Sequence, residues 1–223
     1  MPLWKQRAGI MEPCQERHVP CRYRGGMTNA RRSGPELTRA IMRTTLELGQ
    51  ELGYAKLSIE AIATRAGVGK HTVYRRWPSK GALLLDSLLS LSDAVLDYAD
   101  TGDVVADLRK QIYAAVDLLA RAPFRPLFQA LVGEAQHDPG VARALNDRFI
   151  APQADKTVAR LKTAQEKGEL SPDFDLDLAM AILSGPLYFR LLITQEPLTH
   201  AYVDRILDAL FAGMGPPGRT DTA

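Results

Sequence analysis

Cysteine is scarce in this sequence. The two present, Cys14 and Cys21, lie in a polar N-terminal stretch with His18 between them. Two thiols and one imidazole fall short of a closed four-ligand zinc site, and so isolated a pair is read as incidental rather than as a disulfide framework. His137 and His200 stand in no metal-ligand spacing with carboxylates or cysteines. No run of about 18 apolar residues is free of charge, which argues against a membrane span. Trp4, Lys5 and Arg7 lead into no apolar secretory core, so a cytoplasmic protein is expected. A Gly-rich phosphate loop after a strand, a His-rich helix and a nucleophile–base arrangement are all missing, which leaves a rival reading as an all-α enzyme without chemistry. No enzyme activity, cofactor or metal is expected.

Net charge is also small, +2 over 223 residues, but its distribution is uneven. Residues 1–80 carry a net +9 and the remainder a net −7. A basic front and an acidic rear suit a protein whose first part meets phosphates. Part of that charge lies in residues 1–34, rich in Arg, Gly, Pro and Gln and read as a disordered basic arm; Met11 and Met27 within it are alternative starts. The asymmetry survives without the arm, through Arg39, Arg43, Lys56, Arg65, Lys70, Arg75, Arg76 and Lys80.

Beyond the arm the pattern becomes helical. Leu37, Ile41, Leu48 and Leu52 recur at helical steps until Gly53, a residue suited to a helix end. Ser58 is placed to cap a second helix that stops at Gly67, and a third runs from about Lys70 to Trp77 before Pro78. Ser79 caps the next. Longer amphipathic helices are expected near 79–99, 103–121, 124–136, 138–167, 175–194 and 198–213, with a disordered tail at 214–223. No segment alternates like a strand and none repeats. The fold class is all-α, about nine helices.

Two short helices around a tight Gly-containing turn suggest a helix-turn-helix, whose second helix enters the major groove. At about 100° per residue, Val73 and Trp77 share one face as anchors, and His71 and Arg75 point away from it. Those two are candidate base readers. The Thr72 and Tyr74 hydroxyls flank them and can reach phosphates, and Lys80 and Ser58 sit at helix starts where free N–H groups favour an anion. Residues 35–81 would then be the DNA-binding domain and 82–213 the rest. An interaction module that kept a degenerate reader helix is the other rival.

The stretch Leu57 to Leu84, LSIEAIATRAGVGKHTVYRRWPSKGALL, closely resembles the DNA-binding domain of the tetracycline-repressor (TetR) family. The likeness runs through Ile62-Ala63, Ala66-Gly67-Val68, Thr72-Val73-Tyr74, Arg76-Trp77-Pro78 and Ser79-Lys80. It implies phosphate contacts at Ser58, Thr72, Tyr74 and Lys80, and base-facing positions at Lys70, His71 and Arg75, with Arg76 able to do either. Gly69 and His71 depart from the family's usual Ser and Gly. Gly49 replaces a commonly aromatic position, which is expected to loosen the first helix.

Residues 138–213 resemble one of the family's C-terminal subtypes, through Ala144-Leu145, Phe149 to Pro152, Gly168-Glu169-Leu170 and the run from Gly185 to Leu198. The resemblance implies an effector pocket, with Tyr113, Phe124, Phe128, Phe149 and Tyr188 as candidate lining. It also implies a homodimer paired through the last two long helices. Leu178, Ile182, Gly185 and Phe189 form one candidate stripe, and Tyr202, Ile206 and Leu210 another, with Pro186 expected to kink its helix. The implied partners are double-stranded DNA carrying a pseudo-palindromic operator, an unknown small-molecule effector and a second copy of the chain, with no membrane. The implied function is a transcriptional repressor released by its effector.

Overall fold

Residues 34–92 and 99–213 are described by the computed structural model; the expectations for the basic arm, Cys14, Cys21 and the C-terminal tail fall outside them. Helix α1 (Gly34–Leu52) buries Ile41, Thr44, Thr45 and Leu48, and ends where Gly53 takes a φ of 76° that a side chain would resist. Helix α2 (Ile59–Ala66) starts as expected at Ser58, whose Oγ accepts from the Ala61 N–H at 3.1 Å. Gly67 closes it in the left-handed conformation, and the Val68 N–H returns to the Ala63 carbonyl. Helix α3 (Lys70–Tyr74) ends three residues before the expected Trp77, because Arg75 and Arg76 form a turn leading to Pro78. Helix α4 (Lys80–Ser92) is capped by the Ser79 Oγ.

Behind these lie α5 (Val104–Ala120), α6 (Phe124–Ala135), α7 (Pro139–Leu145), α8 (Ala151–Glu166), α9 (Leu176–Tyr188) and α10 (His200–Gly213). Asp103, Asp138 and Asp175 cap α5, α7 and α9 by accepting backbone N–H groups. No strand occurs among the described residues.

The single helix expected over 138–167 is interrupted by a π turn at Asn146–Ile150, where the Ala151 N–H reaches back to the Asn146 carbonyl. The physical reason lies in Pro152. It has no N–H to offer the carbonyl four residues back, and the wider turn accommodates the loss. Around Pro186 the outcome differs: α9 runs through the proline, and wide turns come after it at Phe189–Thr194.

Two apolar cores can be told apart. Ile41, Leu48, Ile62, Val73, Trp77 and Leu83 form the smaller one, around α1 to α3. The larger joins α4 to the rear helices through Leu84, Leu85, Leu88, Leu108, Phe128 and Leu131, among others. Helix α4 contributes to both, Leu83 to one and its neighbours to the other, so any shift of α4 is felt on both sides. Close approaches fix it there. A Cβ on Gly81 would lie 2.8 Å from a Val141 methyl and 2.9 Å from a Glu134 carboxylate oxygen. Gly49 acts similarly in α1: a Cβ there would meet a Leu127 methyl at 2.8 Å. The expectation that Gly49 loosens α1 is therefore reversed, because its missing side chain admits Leu127.

The Glu134 carboxyl at this junction carries a cost. Its Oε2 is buried without a hydrogen bond, and burial, then the Asp138 charge, raises its pKa. A raised folded-state pKa means that folding favours the protonated form, so this contribution is fully present in acid and is lost as pH rises through the folded value. Glu134→Gln is expected to raise stability at pH 7 by about 1 kcal/mol, or about 2–4 °C in Tm, and to leave it unchanged near pH 4. Thermal melts at the two pH values check this; a lower Tm for the variant at pH 7 would contradict it.

A second buried charge sits between α5 and α8. Arg160, 4% exposed, donates to Asp107 and Glu169 at 2.9 Å, and the Thr101 N–H and hydroxyl complete Asp107 at 3.1 and 2.8 Å. Burial pushes the Asp107 carboxyl up, but the Thr101 and Arg160 hydrogen bonds outweigh it and hold the group below its usual range.

By length and composition, one helical run among the described residues, Leu176–Thr194, could cross a membrane. It contains Asp177 and Arg190, so the strict expectation of no charge-free run stands. Part of its apolar surface is uncovered: Leu178 is 49% exposed, Phe189 55% and Ile193 68%.

Candidate nucleic-acid interface and ligand cavity

Val73 and Trp77 anchor the reader helix as its periodicity requires, at 0% and 3% exposure. The Trp77 indole N–H donates to Asp86 Oδ2 of α4 at 2.7 Å, which fixes the end of the α3 turn to the following helix. With that face pinned, His71 and Arg75 are exposed on the other, and Tyr74 and Lys70, the first residue of α3, are exposed alongside. Three of them carry or can carry positive charge, and the exposed tyrosine hydroxyl lies among them. Such a surface suits the edges and walls of a major groove.

Other predicted contacts are differently placed. Arg76 is tied down, its Nε donating to Thr38 Oγ1 at 3.3 Å and its Nη1 to the Thr72 carbonyl at 3.0 Å. These two bonds brace the α3 turn against α1. Lys80 lies over the Tyr54 ring, 4.0 Å from its centre, and donates to the Tyr54 carbonyl at 3.3 Å. Desolvation there lowers its pKa. Thr72 is half-buried, and Ser58 is engaged as the α2 cap. Arg65, exposed on α2, is paired with Glu51 through both guanidinium nitrogens.

A cavity of about 150 Å³ lies among α5, the π turn, α8 and α9. Of the five residues expected to line it, Phe149 and Tyr188 do. Phe124 and Phe128, each 1% exposed, stack on one another behind the cavity with ring centres 5.6 Å apart. Tyr113 faces away to the α5–α10 seam, where its hydroxyl donates to Asp204 at 2.7 Å and its ring stacks on His200 at 3.9 Å. The polar lining residues Gln111, Gln153, Thr157 and Ser184 were not anticipated. Gln111 left a trace in the sequence, being a polar residue on the apolar α5 stripe of Leu108, Ile112 and Ala115.

The candidate pairing surface divides likewise. Leu178 and Gly185 are exposed on α9 and Phe189 at the start of the wide turn after it, with Ile182 half-buried beside them. Ile206 and Leu210 are turned into the core of the chain itself, at 7% and 0% exposure, and Tyr202 is covered by the Arg190 guanidinium at 3.5 Å. The outward face of α10 is instead Arg205, Asp208, Ala209 and Ala212.

Comparison with known proteins decides the family. Residues 41–86 match the family described as bacterial regulatory proteins, tetR family, and residues 98–210 match the tetracyclin repressor-like C-terminal domain. The chain belongs to the TetR family. It is 30% identical over 186 residues to the uncharacterized HTH-type transcriptional regulator YdeS of Bacillus subtilis (strain 168), covering 82% of this chain and 92% of that one. It is 28% identical over 192 residues to the DNA-binding transcriptional repressor TetR of Mycobacteroides abscessus, covering 83% and 97%. Among solved structures, the TetR family transcription regulator SCO0332 superposes with a TM-score of 0.67 at 36% identity, over 81% of this chain and all of that one. The TetR-family chain is thus a DNA-binding transcriptional regulator, with its reader in α1 to α3 and its C-terminal helical domain behind.

Proposed function

We propose that this regulator is a cytoplasmic homodimeric repressor that holds a two-fold-related operator and releases it when a small molecule fills the cavity. The observation that carries this reading is α3: Val73 and Trp77 pin one side, His71 and Arg75 are offered on the other, and Lys70 and Tyr74 are exposed alongside. Residues 35–81 act as reader and 82–213 as the ligand-binding and dimerisation part, with α4 shared. One short helix makes few base contacts, so two copies about 34–36 Å apart, in successive major grooves, supply affinity and explain operator symmetry. The face formed by Leu178, Ile182 and Gly185 of α9 and by Phe189 just after it, with the small residues Ala209 and Ala212 of α10, is the pairing surface. Thermus thermophilus FadR, of the same fold, 24% identical and with a TM-score of 0.62, was solved with lauroyl-CoA, which supports ligand responsiveness without naming the ligand here.

The route from cavity to reader passes through the π turn. Phe149 and Ile150 of that turn line the cavity, and its Arg148 is ion-paired to Asp86 at 2.6 Å. Asp86 in turn holds the Trp77 indole. A ligand that moves the turn therefore pulls on α4 and on the end of α3, provided it binds the displaced state better. Arg148→Ala is expected to keep operator affinity near wild type while flattening ligand-induced release. Asp86→Ala leaves the buried Trp77 N–H without an acceptor, and is expected to cost about 1–3 kcal/mol of stability and to weaken DNA binding. Melts and operator titrations with and without ligand check both; normal release from the Arg148 variant would disprove the route.

The proposal as a whole is tested by an electrophoretic shift assay on the DNA upstream of the protein's own gene. Binding should weaken steeply with salt, as phosphate contacts require. Sedimentation should give about twice the 24.5 kDa chain mass, and a strict monomer would contradict the pairing.

A further inference from the structure

The cavity wall is chemically one-sided. Ile112, Leu118, Leu119, Leu183 and Leu187 supply much of its apolar surface, and no Asp, Glu, Lys, Arg or His among the described residues lines it. Arg160, on the same helix as Thr157, is already neutralised by Asp107 and Glu169. A charged ligand would have to leave water with no opposite charge to receive it, which is strongly unfavourable.

Among the polar lining groups, two are spent. Thr157 Oγ1 donates to the Gln153 carbonyl and Ser184 Oγ to the Met180 carbonyl, both at 2.9 Å. Gln111 differs. It is 6% exposed, lines the cavity, and its Nε2 is buried with no hydrogen-bond acceptor among the described residues. As the side chain stands that nitrogen is shut off from the cavity space, so a bound acceptor reaches it by a turn of the amide into the cavity; left unpaired, the donor is costly. Across the cavity the Tyr188 phenol is desolvated, which raises its pKa and keeps it a neutral donor.

We infer that the cavity takes a small, uncharged, mainly apolar molecule bearing a carbonyl-type oxygen, which accepts from Gln111 Nε2. The inference rests on the reading of this cavity as the effector site. The cavity is partly open to solvent, and its space of about 150 Å³ suits an enclosed portion of about one aromatic ring with a short substituent, benzene itself being held by an apolar cavity of that size. Gln111 then selects for the oxygen, and the apolar walls for the rest.

Three probes of nearly equal shape test this on the full chain by titration calorimetry and saturation-transfer NMR. They are acetophenone, a neutral ketone; benzoate, a carboxylate; and ethylbenzene, which has no oxygen. Acetophenone is expected to bind roughly three- to tenfold more tightly than ethylbenzene, the worth of one hydrogen bond, and at least about tenfold more tightly than benzoate. In Gln111→Leu the advantage over ethylbenzene should vanish while ethylbenzene still binds, which reports that the variant is folded. Tighter binding of benzoate, an unchanged ketone preference in Gln111→Leu, or no binding of any probe would each overturn the inference. The effector reading is read out separately. Acetophenone that binds as expected at saturating concentration but leaves operator DNA bound would sink the cavity's regulatory role and leave its ligand chemistry standing.

Discussion

An Arg75→Ala/Tyr74→Phe double variant is expected to bind operator DNA roughly 30-fold to 10⁴-fold more weakly than wild type while folding normally. Both side chains are exposed, and neither is in the α1–α3 core that Val73 and Trp77 complete, so their loss should change stability by less than about 0.5 kcal/mol. A well-placed base contact is worth about 1–3 kcal/mol, and a dimer loses it twice, which gives the stated range before the tyrosine is considered. Comparing operator with random DNA separates the roles. If Arg75 reads a base edge, the single Arg75→Ala variant loses affinity chiefly for operator. If it sits on a phosphate, affinity falls about equally on both DNAs and the salt dependence becomes shallower. Wild-type binding by the double variant would remove both residues from the interface.

The reader was legible in the sequence because its determinants are local. Ser58 and Gly67 bound α2, Pro78 stops the α3 turn, and the four-residue step from Val73 to Trp77 sets which side faces out. The rear was legible as helices but less so as surfaces. Aromatic residues were expected to bound the cavity, yet Phe124 and Phe128 fill space rather than enclose it. The walls come from mid-sized aliphatics, from Phe149 and Tyr188, and from Gln111, whose significance appears once α5, α8 and α9 are set together. Helical period alone likewise could not decide which way the Ile206 and Leu210 stripe of α10 turns. Packing against α5 and α9 turns it inward. The Arg148–Asp86 pair joins residues far apart in the chain, and no periodicity announces it.

The buried Arg160 carries the largest expected effect on stability. Its guanidinium joins Asp107 of α5 to Glu169, just beyond α8, and all three side chains are largely shielded from water. Arg160→Ala leaves two carboxylates facing each other in a site built around a cation, and is expected to cost about 3–5 kcal/mol. That is a large part of the stability of an ordinary domain. Replacing the whole group behaves differently, because paired burial is itself nearly neutral: Arg160→Met with Asp107→Leu and Glu169→Met should recover most of the loss. Denaturant melts of the single and triple variants distinguish an electrostatic lock from simple packing. Were Arg160→Ala to cost under about 1 kcal/mol, the cluster would hold nothing. If it costs the full amount and the triple variant does not recover, the side chains matter for shape rather than charge. The cluster also braces the helices that carry Gln111 and Thr157, so the restored triple variant is expected to keep the cavity and its probe binding, whereas Arg160→Ala should lose them below its melting point as α5 and α8 part.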